Sequence, residues 1–168
     1  SVGCLILDRS NNLIGMGRTS DKGRPHAEMN ALKSLTASAK GGTAIVTLEP
    51  CAHSDSSPSC AELLINAGIK HVIIATLDPD IRTNGKGVKL FKKAGIKVSV
   101  GLLKEIALDI NAGFIYRLKY NRPLVSLKIA SSLDGKIATV TGKSKTDFMA
   151  SKMHKIDDDV KFMTTQKY

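Results

Sequence analysis

GGTAIVTLEPCAHSDSSPSCAELLINAGIKHVIIATLDPD, residues 41–80, reads as a strand, a helix and a second strand in that order. Gly41-Gly42 breaks the chain before an apolar run from Ala44 to Leu48, which has the length and composition of a strand. A loop with four serines follows, then helix-forming residues from Cys60 to Ala67, stopped by Gly68. His71–Thr76 (HVIIAT) is a continuous apolar run, the pattern of a strand covered on both faces. Two strands joined through a helix form a parallel pair, because the crossover returns the chain to the same end of the sheet.

The flanks extend this pattern. Val2–Leu7 and Leu13–Met16 are apolar runs around a turn signal at Asn11-Asn12, a hairpin. Thr19–Pro25 is a loop by composition, and Ala27–Leu35 carries helical spacing. Val88–Ala94 reads as a helix closed by Gly95, and Lys97–Val100 as a strand. Leu102–Leu118 places apolar side chains at 103, 106, 107, 110, 114 and 118, a helical stripe. Strands and helices alternating in this way predict an α/β protein with a mixed, mostly parallel sheet covered by helices. Asn121-Arg122-Pro123 ends the alternation, Leu124–Ala130 starts a new strand, and the last 25 residues are polar and Lys-rich. Residues 121–168 therefore read as the incomplete opening of a second domain. Ser1, leading straight into an apolar run, suggests that the native N-terminus is missing.

Composition narrows the function classes. Among 168 residues, 42% are hydrophobic and 24% charged, which excludes a disordered chain. No apolar run approaches a membrane span, and no export signal is visible. Three cysteines without such a signal point to a reduced, cytoplasmic setting and to metal binding rather than a disulfide framework. The net charge is +10, from 25 basic and 15 acidic side chains. The excess is shared between residues 1–116 (14 basic, 10 acidic) and the shorter tail (11 basic, 5 acidic). The three Tyr and four Phe form no cluster on which bases could stack, so nucleic acid is not the expected partner.

His26, Cys51 and Cys60 offer one imidazole and two thiolates, a donor set suited to zinc. Three protein ligands leave a fourth position for water, as at a catalytic zinc; His53 as a fourth ligand would make the site structural. Glu28, two residues after His26, points past the ion, where it can take a proton from water and give it to a leaving amine. His26 and Cys51 are both expected at helix N-termini, where the dipole favours thiolate. Cys4 in its apolar strand reads as a small hydrophobe, His71 as structural and His154 as solvated. The pattern His26-x-Glu28 followed by Pro50-Cys51 is that of the zinc nucleobase deaminases.

HAEMNAL (26–32) and TLEPCAHSDSSPSC (47–60) resemble the deaminase half of the bifunctional riboflavin-biosynthesis deaminase/reductase family. Residues 78–98 and 121–138 match further blocks of that family, the latter the start of its reductase domain. Eight residues separate Cys51 from Cys60, whereas cytidine, deoxycytidylate and tRNA-adenosine deaminases typically have two there. The resemblance implies a three-layer α/β/α cytidine-deaminase-like fold, with the zinc deaminase domain over residues 1–120 and the family's N-terminal helix, ahead of Val2, missing. It implies zinc held by His26, Cys51 and Cys60, Glu28 as the catalytic proton shuttle, and His53, Asp78, Asp80, Ser56 and Arg82 on the substrate side. The implied reaction is hydrolytic deamination of 2,5-diamino-6-(5-phosphoribosylamino)pyrimidin-4-one to 5-amino-6-(5-phosphoribosylamino)uracil. NADPH belongs to the complete reductase domain, so this chain is expected to have no residues binding it and no reductase activity. The resemblance also implies a homo-oligomer. Another deaminase of this fold, or a zinc-binding pseudo-enzyme, is the alternative.

Four positions depart from the family's pattern: Ser56 stands where a basic residue meets the phosphate, Asp55 replaces Gly, Asp80 replaces a frequent Asn, and Thr19 replaces a His. Arg24, Arg82 or Lys86 are the cations available to compensate. A lost charge-assisted phosphate contact weakens binding by roughly 10- to 150-fold. Ser56→Arg is therefore expected to lower KM for the phosphorylated substrate relative to its dephosphorylated form. An unchanged ratio would show that the phosphate is held elsewhere.

Overall fold

A computed structural model describes residues 2–53 and 58–126 of the chain. Strand β1 (Gly3–Leu7) pairs antiparallel with β2 (Leu13–Arg18). Their turn is built on Asp8, whose carboxylate accepts from the Ser10 and Asn12 amides at 2.8 and 2.9 Å, while Asn11 takes a left-handed φ of 63°. Strands β3 (Thr43–Val46), β4 (His71–Ile74) and β5 (Lys97–Val100) complete a sheet in the order β2-β1-β3-β4-β5. The β3–β4 and β4–β5 pairs are parallel; β1–β3 is antiparallel. Four strands thus point one way and β1 alone runs against them.

Helices α1 (Ala27–Lys33), α2 (Cys60–Asn66) and α3 (Lys86–Lys93) pack along one face of the sheet, α1 over β1 and β2 and α3 against β5. That face is apolar because strand side chains alternate: Cys4 and Ile6, Ala44 and Val46, and Val72 and Ile74 are all buried, against Ala31, Leu64 and Phe91 from the helices. Burial pushes the Cys4 thiol well above its ordinary range, which fits a small core residue. His71 Nε2 lies 2.9 Å from Ser99 Oγ on β5, a structural pairing; His154 is outside the described residues.

Helix α1 lies unusually close to the sheet, and β2 permits it by having glycine at positions 15 and 17. A Cβ on Gly17 would stand 2.3 Å from both Ala27 O and Ala31 N, and one on Gly15 2.7 Å from Ala31 O. The neighbours are helix backbone, which cannot turn aside.

The C-terminal stripe differs from its reading as one helix. Residues 102–118 form α4 (Lys104–Ile110) and α5 (Ala112–Tyr120), broken at Asn111. The Asn111 side chain donates to Ala107 O at 2.9 Å, and the backbone there leaves the helical region. Ala107 and Asn111 face inward, while Ile106, Ile110, Phe114 and Leu118 stay exposed. The chain divides into units at Arg122 and Pro123; the second is described only over residues 123–126. No helix among the described residues is long and apolar enough to cross a membrane.

Gly17→Ala is expected to cost about 1–3 kcal/mol of stability, because the added methyl must push α1 off the sheet. Urea denaturation measures it, and an unchanged midpoint would refute the close approach.

Candidate active site

Three chain segments converge at the ends of β1, β2 and β3. His26 is the N-cap of α1, with extended backbone, and Glu28 lies in the first turn behind it, 3% exposed. Cys51 follows Pro50 in the loop leaving β3, and Cys60 is the first residue of α2. The expectation of a helix N-terminus at Cys51 is corrected here: the helix starts nine residues later, where Ser59 caps it. Ser59 and Glu62 form a capping box, in which Ser59 Oγ accepts from the Glu62 amide at 3.3 Å and the Glu62 carboxylate accepts from the Ser59 amide at 2.8 Å. The box fixes where Cys60 begins its helix. Its Ser-x-x-Glu spacing was visible in the sequence.

His26 Nδ1 lies 3.4 Å from Cys60 Sγ and 3.7 Å from Cys51 Sγ, and all three donor atoms fall within 4.8 Å of one another. The Cys60 amide donates to Cys51 Sγ at 3.4 Å. Cys51 is held as a thiolate, at about 4, chiefly by its hydrogen bond with Cys60 and then by that with His26. Cys60 is pushed the other way, first by its bond to that thiolate and next by burial. The Cys51 bond raises the His26 imidazole above its usual value, and burial raises the Glu28 carboxyl. This donor set fits zinc. Ordinary Zn–S and Zn–N bonds in a tetrahedron put nitrogen and sulfur roughly 3.5 Å apart, the separation seen here.

Two cavities of about 270 Å³ meet at Arg24, His26, Cys51 and His53. One extends toward Met29, Pro58 and Ser59. The other runs between Val2 and Thr19 on the hairpin and Asp78, Asp80 and Arg82 on the loop after β4. Of the residues expected on the substrate side, the structure therefore gathers His53, Asp78, Asp80 and Arg82 around one cavity; Ser56 and Asp55 lie outside the described residues. His53 Nδ1 is 3.4 Å from the hydroxyl of Thr83, which is fully buried and had no role in the sequence reading. Burial raises the Asp78 carboxyl, and its Oδ1 accepts from the Asp80 amide at 2.9 Å. Arg82 Nη2 is 2.6 Å from Asp80 Oδ2, and its Nε lies within 3.1 Å of both Asp80 oxygens. Of the candidate cations, Arg82 is thus engaged by Asp80, Arg24 lines both cavities, and Lys86 opens α3.

Residues 1–76 match the cytidine and deoxycytidylate deaminase zinc-binding region. The chain is 43% identical over 145 residues to the riboflavin biosynthesis protein RibD of Aquifex aeolicus, covering 86% of this chain and 40% of that protein. It is 42% identical over 123 residues to the diaminohydroxyphosphoribosylamino-pyrimidine deaminase of Buchnera aphidicola subsp. Schizaphis graminum, covering 73% of this chain and 83% of that protein. Among solved structures, the deaminase/reductase of Thermotoga maritima superposes with a TM-score of 0.84 at 41% identity, over 92% of this chain and 45% of that one. RibD of Acinetobacter baumannii gives 0.80 at 42% identity, over 95% of this chain and 45% of that one. The fold is thus the cytidine-deaminase-like one. The chain spans about two-fifths of the length of the RibD relatives it matches.

The Arg82 guanidinium holds the Asp80 carboxyl at about 2, below its ordinary 3.8. A depressed carboxyl stabilises the fold fully above the ordinary aspartate value, and the contribution is lost as pH falls toward 2. Arg82→Ala is expected to return Asp80 toward 3.8 in a carboxyl NMR titration and to flatten stability over that acid window. A variant Asp80 still titrating near 2 would show that another group holds it.

Proposed function

The chain belongs to the diaminohydroxyphosphoribosylaminopyrimidine deaminase family of the cytidine-deaminase-like zinc proteins, and on that premise we propose that it hydrolytically deaminates a phosphoribosylated diaminopyrimidine. The product would be 5-amino-6-(5-phosphoribosylamino)uracil. The observation that carries the reading is His26 Nδ1 at 3.4 and 3.7 Å from two thiols, with Glu28 buried beside them. His26, Cys51 and Cys60 would hold the metal. Zinc bound there supplies Lewis acidity, which makes water a nucleophile near neutral pH.

The protein's own groups do the rest. Glu28 is fixed at the start of α1, and its burial raises its proton affinity toward that of a group that both accepts and returns a proton. It takes the proton released as water attacks the amine-bearing ring carbon and passes it to the departing nitrogen, which leaves as ammonia. Val2, Leu48 and His53, which line the cavity, would border the ring. Asp78 faces the polar edge of the ring system. Asp80, Arg82 and Arg24 line the same cavity and are the groups the phosphoribosyl group would meet.

We assign this activity to residues 1–120 and read residues 121–168 as the start of a reductase domain. The Thermotoga maritima relative is described as a 5-amino-6-(5-phosphoribosylamino)uracil reductase as well as a deaminase. That step and its NADPH are assigned to the length of the relatives beyond this chain. The substrate class, the free thiols and the lack of any membrane-crossing helix among the described residues support a cytoplasmic setting.

Glu28→Gln keeps the shape and removes the proton acceptor. Ammonia release from the diaminopyrimidine substrate is expected to fall by roughly 10²–10⁴-fold, with the metal retained by elemental analysis, and a zinc chelator should abolish activity in the parent. Equal turnover in the variant would assign proton transfer to another group.

A further inference from the structure

Glu49 precedes Pro50 and Cys51, and nothing above gives it a role. It is 3% exposed, although a buried carboxylate is costly unless its oxygens are satisfied. Its partners all lie on the loop and helix after β4. Oε2 accepts from the Gly85 amide at 2.9 Å and from the Asp78 amide at 3.3 Å; Oε1 accepts from the Val88 amide at 3.1 Å. One oxygen therefore joins the two ends of the 78–85 loop. The same carboxylate caps α3, whose N-cap is Gly85, a residue with no side chain to do so.

Gly87 supplies an independent observation. A Cβ there would stand 2.5 Å from Pro50 O and 3.1 Å from Glu49 Oε1. The N-terminus of α3 is seated directly on the Glu49-Pro50 backbone, and only glycine allows it.

The Cys51 segment and the Asp78–Arg82 loop form opposite walls of one cavity. We propose that Glu49 is a positioning residue for the reaction: its carboxylate holds the substrate-facing loop of residues 78–85 in register with the donor cluster at Cys51. The proposal rests on the deaminase reading above, since it takes Asp78 and Asp80 to face the substrate. Glu49 also borders this cavity, but both its oxygens are taken up by the Asp78, Gly85 and Val88 amides, so it acts through the loop it closes.

The test separates positioning from mere stabilisation. If Glu49 only stabilised the fold, Glu49→Gln would lower the amount of active protein, and so kcat, without altering KM. Positioning predicts instead that Glu49→Gln raises KM for the phosphoribosylated diaminopyrimidine by about tenfold or more, the scale of a lost hydrogen bond to a charged group. It predicts kcat within about threefold of the parent, one metal ion still bound per chain, and faster amide hydrogen exchange at residues 78, 85 and 88. Gly87→Ala leaves the carboxylate in place but lifts α3 from Pro50, and should raise KM in the same direction; it carries the test if Glu49→Gln does not fold. An unchanged KM in the folded variants, or unaltered exchange at the three amides, overturns the proposal. An inactive parent would sink the deaminase reading instead, and the exchange comparison would then decide the Glu49 assignment alone.

Discussion

Packing one imidazole nitrogen and two sulfurs into a space less than 4.8 Å across, with a carboxylate buried alongside, is unfavourable for a bare polypeptide. Each group would be better solvated apart. The structure brings them together through backbone constraints set elsewhere. Helix α1 must lie almost on β2, which the two glycines of that strand allow, so that His26 and Glu28 reach the sheet end. Helix α2 must begin at Cys60 and no earlier, which the Ser59–Glu62 box ensures. Cys51 must leave β3 at a fixed angle, which Pro50 restricts. With those constraints met, one nitrogen and two sulfurs stand together as a donor set that a divalent cation would complete.

Local patterns account for what the sequence made legible. The β–α–β reading of residues 41–80 rests on runs and breakers within a few positions of one another, and β3, α2 and β4 appear where expected to within two residues at each end. The donor cluster was legible because His-x-Glu and Pro-Cys are themselves local. What escaped notice spans distance. Glu49 stands within the same motif, yet its partners lie 29 to 39 positions away and are backbone amides, which carry no residue-type signal. Thr83 beside His53 is hidden for the same reason. The stripe from 102 to 118 misled in the opposite way: its period is correct, but periodicity does not say that a single Asn will divert a helix or which side will face solvent.

The Asp80 carboxylate, at a position where the resemblance leads one to expect Asn, has a counterpart two residues later. An isolated carboxylate at the cavity rim would repel a phosphorylated ligand, and Arg82 neutralises it through a forked contact. The cavity wall thereby gains a pair with little net charge. Arg24 lines both cavities, on the segment that also carries His26.

The reversed direction of β1 has a practical corollary. Because it runs against the other four strands, its first residue lies at the same end of the sheet as the loops leaving β3 and β4. Val2 there exchanges hydrogen bonds with Thr19, and both line the cavity. A substitution that loosens the Val2–Thr19 pairing would therefore reshape a wall of the cavity as well as fray the end of the hairpin.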